Sequence, residues 1–108
     1  MNIATTIEQS KHLIELGIDP SSADMCWQEV ASVYSTWKWE LMTYPSVREL
    51  IDVPAWSLSA LLELIPCADL VKLDITWSCG SILDRVEAGT PIEATYKMVC
   101  RLKENGII

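Results

Sequence analysis

Apolar and polar positions alternate along the chain with two different periods, one helical and one of a half-buried strand. Ile7, Leu13, Ile14 and Leu16 fall mainly on one side of a helix, with the stem of Lys11 completing the stripe. Thr5 and Glu8 stand at capping-box spacing before it, where each side chain can satisfy an orphan backbone N–H of the first turn. Gly17 suits the left-handed position beyond the helix end, and Ile18 can then fold back on Leu13. Asp19-Pro20-Ser21-Ser22 makes the following turn. The same grammar recurs at the far end, where Thr90 is the predicted N-cap, Pro91 the first helical residue and Glu93 the box partner. Ile92, Tyr96, Val99 and Leu102 follow at helical spacing beside Met98, and Gly106-Ile107 close the element. A third helix begins at Ser57, with Trp56 and Leu61 in staple relation. Leu58, Leu61, Leu62 and Ile65 form its stripe and Pro66 its stop. Ser46 and Glu49 predict a further short helix after Tyr44-Pro45.

Val71-Lys72-Leu73-Asp74-Ile75-Thr76-Trp77 alternates apolar and polar throughout, which predicts a strand with one wet face. Ser78-Cys79-Gly80-Ser81 reads as a turn with Gly80 supplying a positive φ, and Ile82 to Glu87 as the returning strand. Met25 to Met42 predicts a second hairpin, in which Val33, Trp37, Trp39 and Leu41 share one parity. The sum is an α+β fold in the order α-β-β-α-β-β-α, a small and mostly antiparallel sheet with three main helices packed on one face. No linker, repeat or low-complexity tract divides residues 1–108, so one domain is expected.

Composition narrows the class. Half of the 108 residues are hydrophobic, too many for a disordered segment, yet no apolar run approaches the ~20 residues of a membrane span. The opening Met1 to Thr6 has neither a basic cluster nor an apolar core, so no secretory signal is expected and the cytoplasm is the expected location. Cys26, Cys67, Cys79 and Cys100 lie at least a dozen residues apart without a C-x-x-C, a spacing that favours four reduced thiols over bridges or a zinc site. The net charge of −7, from 15 acidic and 8 basic residues, opposes binding to phosphate backbones. It leaves room for an acidic protein that occupies a nucleic-acid-binding partner.

Few residues suggest chemistry. The chain holds five tryptophans and no phenylalanine. Most are expected in the core, with Trp37 and Trp39 the best candidates for a partner-binding surface, because tryptophan anchors binding hot spots. The Ser-Cys-Gly-Ser sequence resembles a nucleophile turn only superficially, since the elbow needs a strand-turn-helix context and a base. His12, the only histidine, is expected partly exposed at the edge of the first helix stripe. Asp69, Asp74, Asp84 and Glu87 fall where a solvated strand face would place them. Nucleotide-loop and zinc-hydrolase motifs are missing from the sequence. No catalytic set, metal site or cofactor is therefore expected.

Several blocks together resemble a family. Thr5-Thr6-Ile7-Glu8-Gln9-Ser10, Leu16-Gly17-Ile18, Ser22-Ala23-Asp24-Met25, Pro54 to Pro66, Thr90-Pro91-Ile92-Glu93-Ala94 and Met98-Val99 are similar to small uncharacterised proteins of gut Bacteroides-type bacteria and their prophages and mobile elements. The most specific block is Pro54-Ala55-Trp56-Ser57-Leu58-Ser59-Ala60-Leu61-Leu62. The resemblance implies a phage or mobile-element setting and transfers no functional residue.

These observations favour a noncatalytic interaction or accessory protein that binds a protein partner through a partly exposed aromatic surface, with a homodimer as one form of that partnership. Two alternatives stand beside it. One is a small hydrolase-like or nucleotide-processing enzyme using scattered acids and a thiol, which would need a pocket gathering two or more of His12, a cysteine and a carboxylate. The other is the acidic protein that covers a nucleic-acid-binding partner.

Overall fold

The computed structural model describes residues 3–31, 37–43, 53–81 and 84–108, with side chains at 29–31, 37–38 and 42–43 outside that description. Helix α1 (Ile7–Glu15) leads through a single 3-10 turn (Pro20–Ser22) into β1 (Met25–Ala31), β2 (Trp37–Thr43) and β3 (Val53–Ala55). Helix α2 (Leu58–Glu63), β4 (Asp69–Lys72), β5 (Trp77–Gly80), β6 (Arg85–Ala88) and α3 (Pro91–Glu104) follow. The fold is α+β in the expected order, with the strands divided between two three-stranded antiparallel sheets, β2-β1-β3 and β4-β5-β6. The expected helix around Ser46–Glu49 lies outside the described residues.

The helix ends follow their local chemistry closely. After α1, the Gly17 N–H donates to Ile14 O and the Ile18 N–H to Leu13 O, both at 3.0 Å, with Gly17 at φ +97°. After α3, the Gly106 N–H donates to Lys103 O at 3.1 Å and the Ile107 N–H to Leu102 O at 2.9 Å, with Gly106 at φ +74°. Both are Schellman caps, in which a residue free of a β-carbon turns the chain left-handed so that the next N–H can reach back. Thr90 Oγ1 accepts from the Glu93 N–H at 3.1 Å, and Ser57 Oγ from the Ala60 N–H at 3.3 Å.

The α1 start is one residue later than the spacing of Thr5 and Glu8 implied. Thr6 is the N-cap, its Oγ1 accepting from the Gln9 N–H at 3.1 Å while Gln9 Oε1 accepts from the Thr6 N–H at 3.0 Å. Thr5 is fully buried and serves tertiary structure instead. Its Oγ1 bonds Ser10 Oγ at 2.7 Å and accepts from the Trp56 N–H at 3.1 Å, and its own N–H donates to Trp56 O at 2.9 Å. A polar side chain buried at such a junction must be fully satisfied, which a capping role would not have achieved.

The main cluster of buried side chains joins the three helices to the second sheet. Leu13, Trp56, Leu61, Ile92, Met98, Val99 and Leu102 are all at most 5% exposed and belong to one cluster reached by α1, α2, β5, β6 and α3. Burial of each such side chain contributes about 1.5–3 kcal/mol. Trp56 keeps its indole N–H satisfied by Ser22 Oγ at 2.9 Å, and Trp27 donates to Thr5 O at 2.9 Å. Helix α3 packs across β4, β5 and β6, α2 packs on α3, and α1 packs beside β3.

The second sheet differs from the alternation in its sequence. The stretch Val71 to Trp77 is two strand ends and the turn between them: Lys72 pairs with Trp77, and the Leu73 N–H donates to Thr76 O at 2.8 Å. Ser78, Cys79 and Gly80, expected as a turn, are the buried middle of the central strand β5. Cys79 faces the core with Leu70 and Val86 packed nearby. The backbone of Gly80 is not left-handed. A β-carbon there would lie 2.7 Å from Arg85 Nη2, so glycine gives room for close approach of the guanidinium and does not shape a turn.

Candidate functional site

Two surfaces compete for a functional role, one concave and polar, the other protruding and apolar. The concave one is a groove of about 590 Å³ between α1, β6 and α3. Tyr96, Lys97, Cys100, Arg101 and Glu104 line it from one face of α3, as expected for residues four apart on a helix. Strand β6 adds Arg85, Val86 and Glu87, and α1 adds His12. The His12 and Tyr96 rings meet edge to face, with centroids 6.3 Å apart. The groove thus gathers an imidazole, a thiol and carboxylates that the sequence scatters over more than ninety positions. Sequence periodicity offered no sign of this, because the meeting depends on a tertiary contact between His12 of α1 and Tyr96 of α3. The only local signal was the four-residue spacing of Tyr96 and Cys100.

The electrostatics of the groove disfavour nucleophilic chemistry. Burial pushes the Cys100 thiol above its ordinary range; a hydrogen bond from the Tyr96 hydroxyl only partly offsets this, and Glu104 adds to the rise. A thiol acts as a nucleophile through its thiolate, so this one is poorly activated at neutral pH. Tyr96 is likewise pushed up, first by burial and then by donating to Cys100. The neighbouring cations are already engaged. Arg101 Nη1 donates to both oxygens of Asp84, at 2.9 and 3.0 Å, and Lys97 lies 3.8 Å from Glu93. Arg85 donates to Ser78 Oγ at 2.6 Å and pairs with Asp69. The Asp84 carboxyl is held below its usual range, chiefly by Arg101 and then by the Arg85 N–H.

Among the described residues, no three of the His, Cys, Asp or Glu side chains gather as a metal ion would need. The four cysteines are free, with Cys26 and Cys79 buried, Cys100 half-buried and Cys67 exposed. Burial also raises the Cys79 thiol, removing Ser-Cys-Gly-Ser from consideration as a reactive turn. Among the described residues, no helix is long and apolar enough to cross a membrane.

The protruding surface is the β4–β5 hairpin. Ile75 at its tip is 89% exposed, and Val71 and Leu73 are 45% and 41% exposed. Strand β4 is an edge, paired only with β5 among the described residues. An edge strand and its turn carrying three exposed branched aliphatic residues is unusual, since edges are ordinarily blunted by charge. Lys72 and Asp74 interrupt the three and are themselves exposed.

The tryptophans singled out by sequence lie on β2. Trp39 is 38% exposed and pairs across the strands with Glu29, on the part of the β1–β2 ribbon beyond the reach of β3. Trp37 pairs with Ala31 in the backbone ladder, while its side chain is outside the described residues. The hairpin tip was missed because perfect alternation suggested that Val71, Leu73 and Ile75 were the dry side of a strand.

No protein-family model, curated protein or solved structure matches this chain.

Proposed function

We propose that this chain is a noncatalytic interaction domain that engages a protein partner through exposed apolar side chains. The observation carrying this reading is the β4–β5 hairpin, whose Ile75 side chain stands almost wholly in solvent beside Leu73 and Val71. Leaving three branched aliphatic groups in water has no folding benefit, whereas covering them with a partner recovers about 25 cal/mol for each Å² of apolar surface removed from water. Trp39 adds a half-exposed aromatic group on the other sheet. The phage or mobile-element setting enters the proposal through sequence resemblance alone.

The enzyme alternative has one observation in its favour, the meeting of His12, Cys100, Glu87 and Glu104 at one groove. The raised Cys100 thiol and the engaged cations weigh against it.

Affinity capture from host cells with three forms of the chain separates the two readings. Leu73→Ser/Ile75→Ser is expected to lose the partners held by wild type, while His12→Ala/Cys100→Ala retains them. Loss with the groove variant and retention with the hairpin variant would transfer the function to the groove.

A further inference from the structure

We infer that the groove between α1, β6 and α3 is a site for a small organic cation of the aliphatic polyamine class, held by Glu87 and Glu104 beside the Tyr96 ring. The charges along the groove sort into two kinds. Its three lining cations are each paired with an acid that does not line it: Arg101 with Asp84 at 2.9 Å, Arg85 with Asp69, and Lys97 with Glu93 at 3.8 Å. Each such pair cancels locally. Glu87 on β6 and Glu104 on α3 form no salt bridge and no side-chain hydrogen bond among the described residues. The charges that the groove leaves uncompensated are therefore two carboxylates, one from each of two walls. The net charge of −7 has the same sign and raises the concentration of cations around the molecule.

The rest of the lining suits a charge carried on carbon. Half-buried Tyr96 and Val86 supply aromatic and aliphatic surface, and an aromatic ring attracts a cation to its electron-rich face. Glu104 bears electrostatically on both Tyr96 and Cys100, which places its carboxylate at the same part of the groove as the ring. The Tyr96 hydroxyl is engaged by Cys100, so Tyr96 offers a ligand its ring. A bare metal ion fits less well, because among the described residues no three His, Cys, Asp or Glu side chains come together. An anionic ligand fits less well too, since it would have to draw Arg85, Lys97 or Arg101 from its own acid. The groove volume of about 590 Å³ lies within the range of small-molecule sites and has room for a short carbon chain between two ammonium groups.

Titration of the isotope-labelled full chain with spermidine at low salt, followed by amide NMR spectra, tests the inference. Saturable shifts are expected around Glu87, Tyr96, Cys100 and Glu104, with a dissociation constant of about 0.1–1 mM. Glu87→Gln and Glu104→Gln are each expected to weaken binding about 3–5-fold, as for exposed ion pairs, and the double variant by about 10-fold. Glu15→Gln/Glu63→Gln removes the same charge from exposed positions outside the groove and is expected to bind like wild type. Glutarate, a carbon chain of opposite charge, is expected to cause no saturable shift. The hairpin variant Leu73→Ser/Ile75→Ser is expected to bind spermidine unchanged, so this site stands or falls apart from the partner surface. All four glutamates are exposed, and the wild-type shift map decides the matter even where a variant fails to fold. No saturable shift up to about 10 mM, shifts spread over the whole surface, equal weakening by the two double variants, or glutarate binding in place of spermidine would each overturn the inference.

Discussion

The Arg85 guanidinium lies directly over Gly80, so close that a β-carbon on Gly80 would stand 2.7 Å from Nη2 and 3.0 Å from Cζ. The space that glycine leaves on the central strand is filled by the neighbouring strand's cation, which reaches across to Ser78 and Asp69. Gly80→Ala therefore has to move the guanidinium. It would take the hydrogen bond from Ser78, a hydroxyl only 2% exposed, and an unsatisfied buried hydroxyl costs about 1–3 kcal/mol. Urea denaturation is expected to show a loss of about 1–2 kcal/mol. In an Arg85→Ala background the same glycine substitution should be neutral or slightly stabilising, because the backbone there tolerates a side chain and alanine reduces unfolded-state entropy.

The left-handed Gly17 makes a different prediction. Gly17→Ala forces an L side chain to φ +97° and brings its β-carbon within 3.3 Å of Lys103 Cε, at an expected cost of about 1–2 kcal/mol. Gly89→Ala, with no neighbouring atom within 4 Å and no positive φ, is the control and should change the denaturation midpoint little.

Asp84 gives the chain an acid-sensitive contact. Its carboxyl is held below the ordinary range in the folded state, chiefly by Arg101. A depressed folded-state pKa contributes stability above the unfolded-state value, near pH 4, and loses it as pH falls through the lower folded value. Melting temperature should therefore fall on acidification below about pH 4 more steeply in wild type than in Asp84→Asn.

Thiol reactivity should follow burial and the Tyr96 hydrogen bond. Iodoacetamide is expected to label exposed Cys67 first, half-buried Cys100 slowly, and buried Cys26 and Cys79 only on unfolding. The Tyr96 hydroxyl is the main influence lowering the Cys100 thiol against its burial. Tyr96→Phe removes that donor, so Cys100 alkylation should require still higher pH. Mass spectrometry of the labelled peptides across a pH series checks the order and the direction.

Much of the fold was legible because helix ends are decided locally. Gly17-Ile18 and Gly106-Ile107 specify Schellman caps in a few residues, and Ser57 and Thr90 specify N-caps at short range. Where two adjacent residues were equally suited, as with Thr5 and Thr6, the choice depended on Trp56, 51 positions away. The second sheet was harder for a related reason. Alternation identifies side chains of similar character, but it does not say whether the chain turns between them, and Leu73 to Thr76 turns while the alternation continues. Small residues in Ser78-Cys79-Gly80 suggested a turn, whereas they are small because Arg85 covers one side of the strand and the core the other. The groove at His12, Tyr96 and Cys100 depends on tertiary contacts among α1, β6 and α3, far apart in sequence.

Leu73 and Ile75 are proposed to serve association and not the fold. Equilibrium urea denaturation of Leu73→Ser/Ile75→Ser, measured beside wild type at low concentration, tests this most directly. The expected result is a midpoint and slope unchanged within about 0.5 kcal/mol, as for exposed positions, against a loss of about 2–5 kcal/mol for the buried Leu61→Ala. A hairpin variant destabilised as severely as Leu61→Ala would show instead that these side chains support the fold itself.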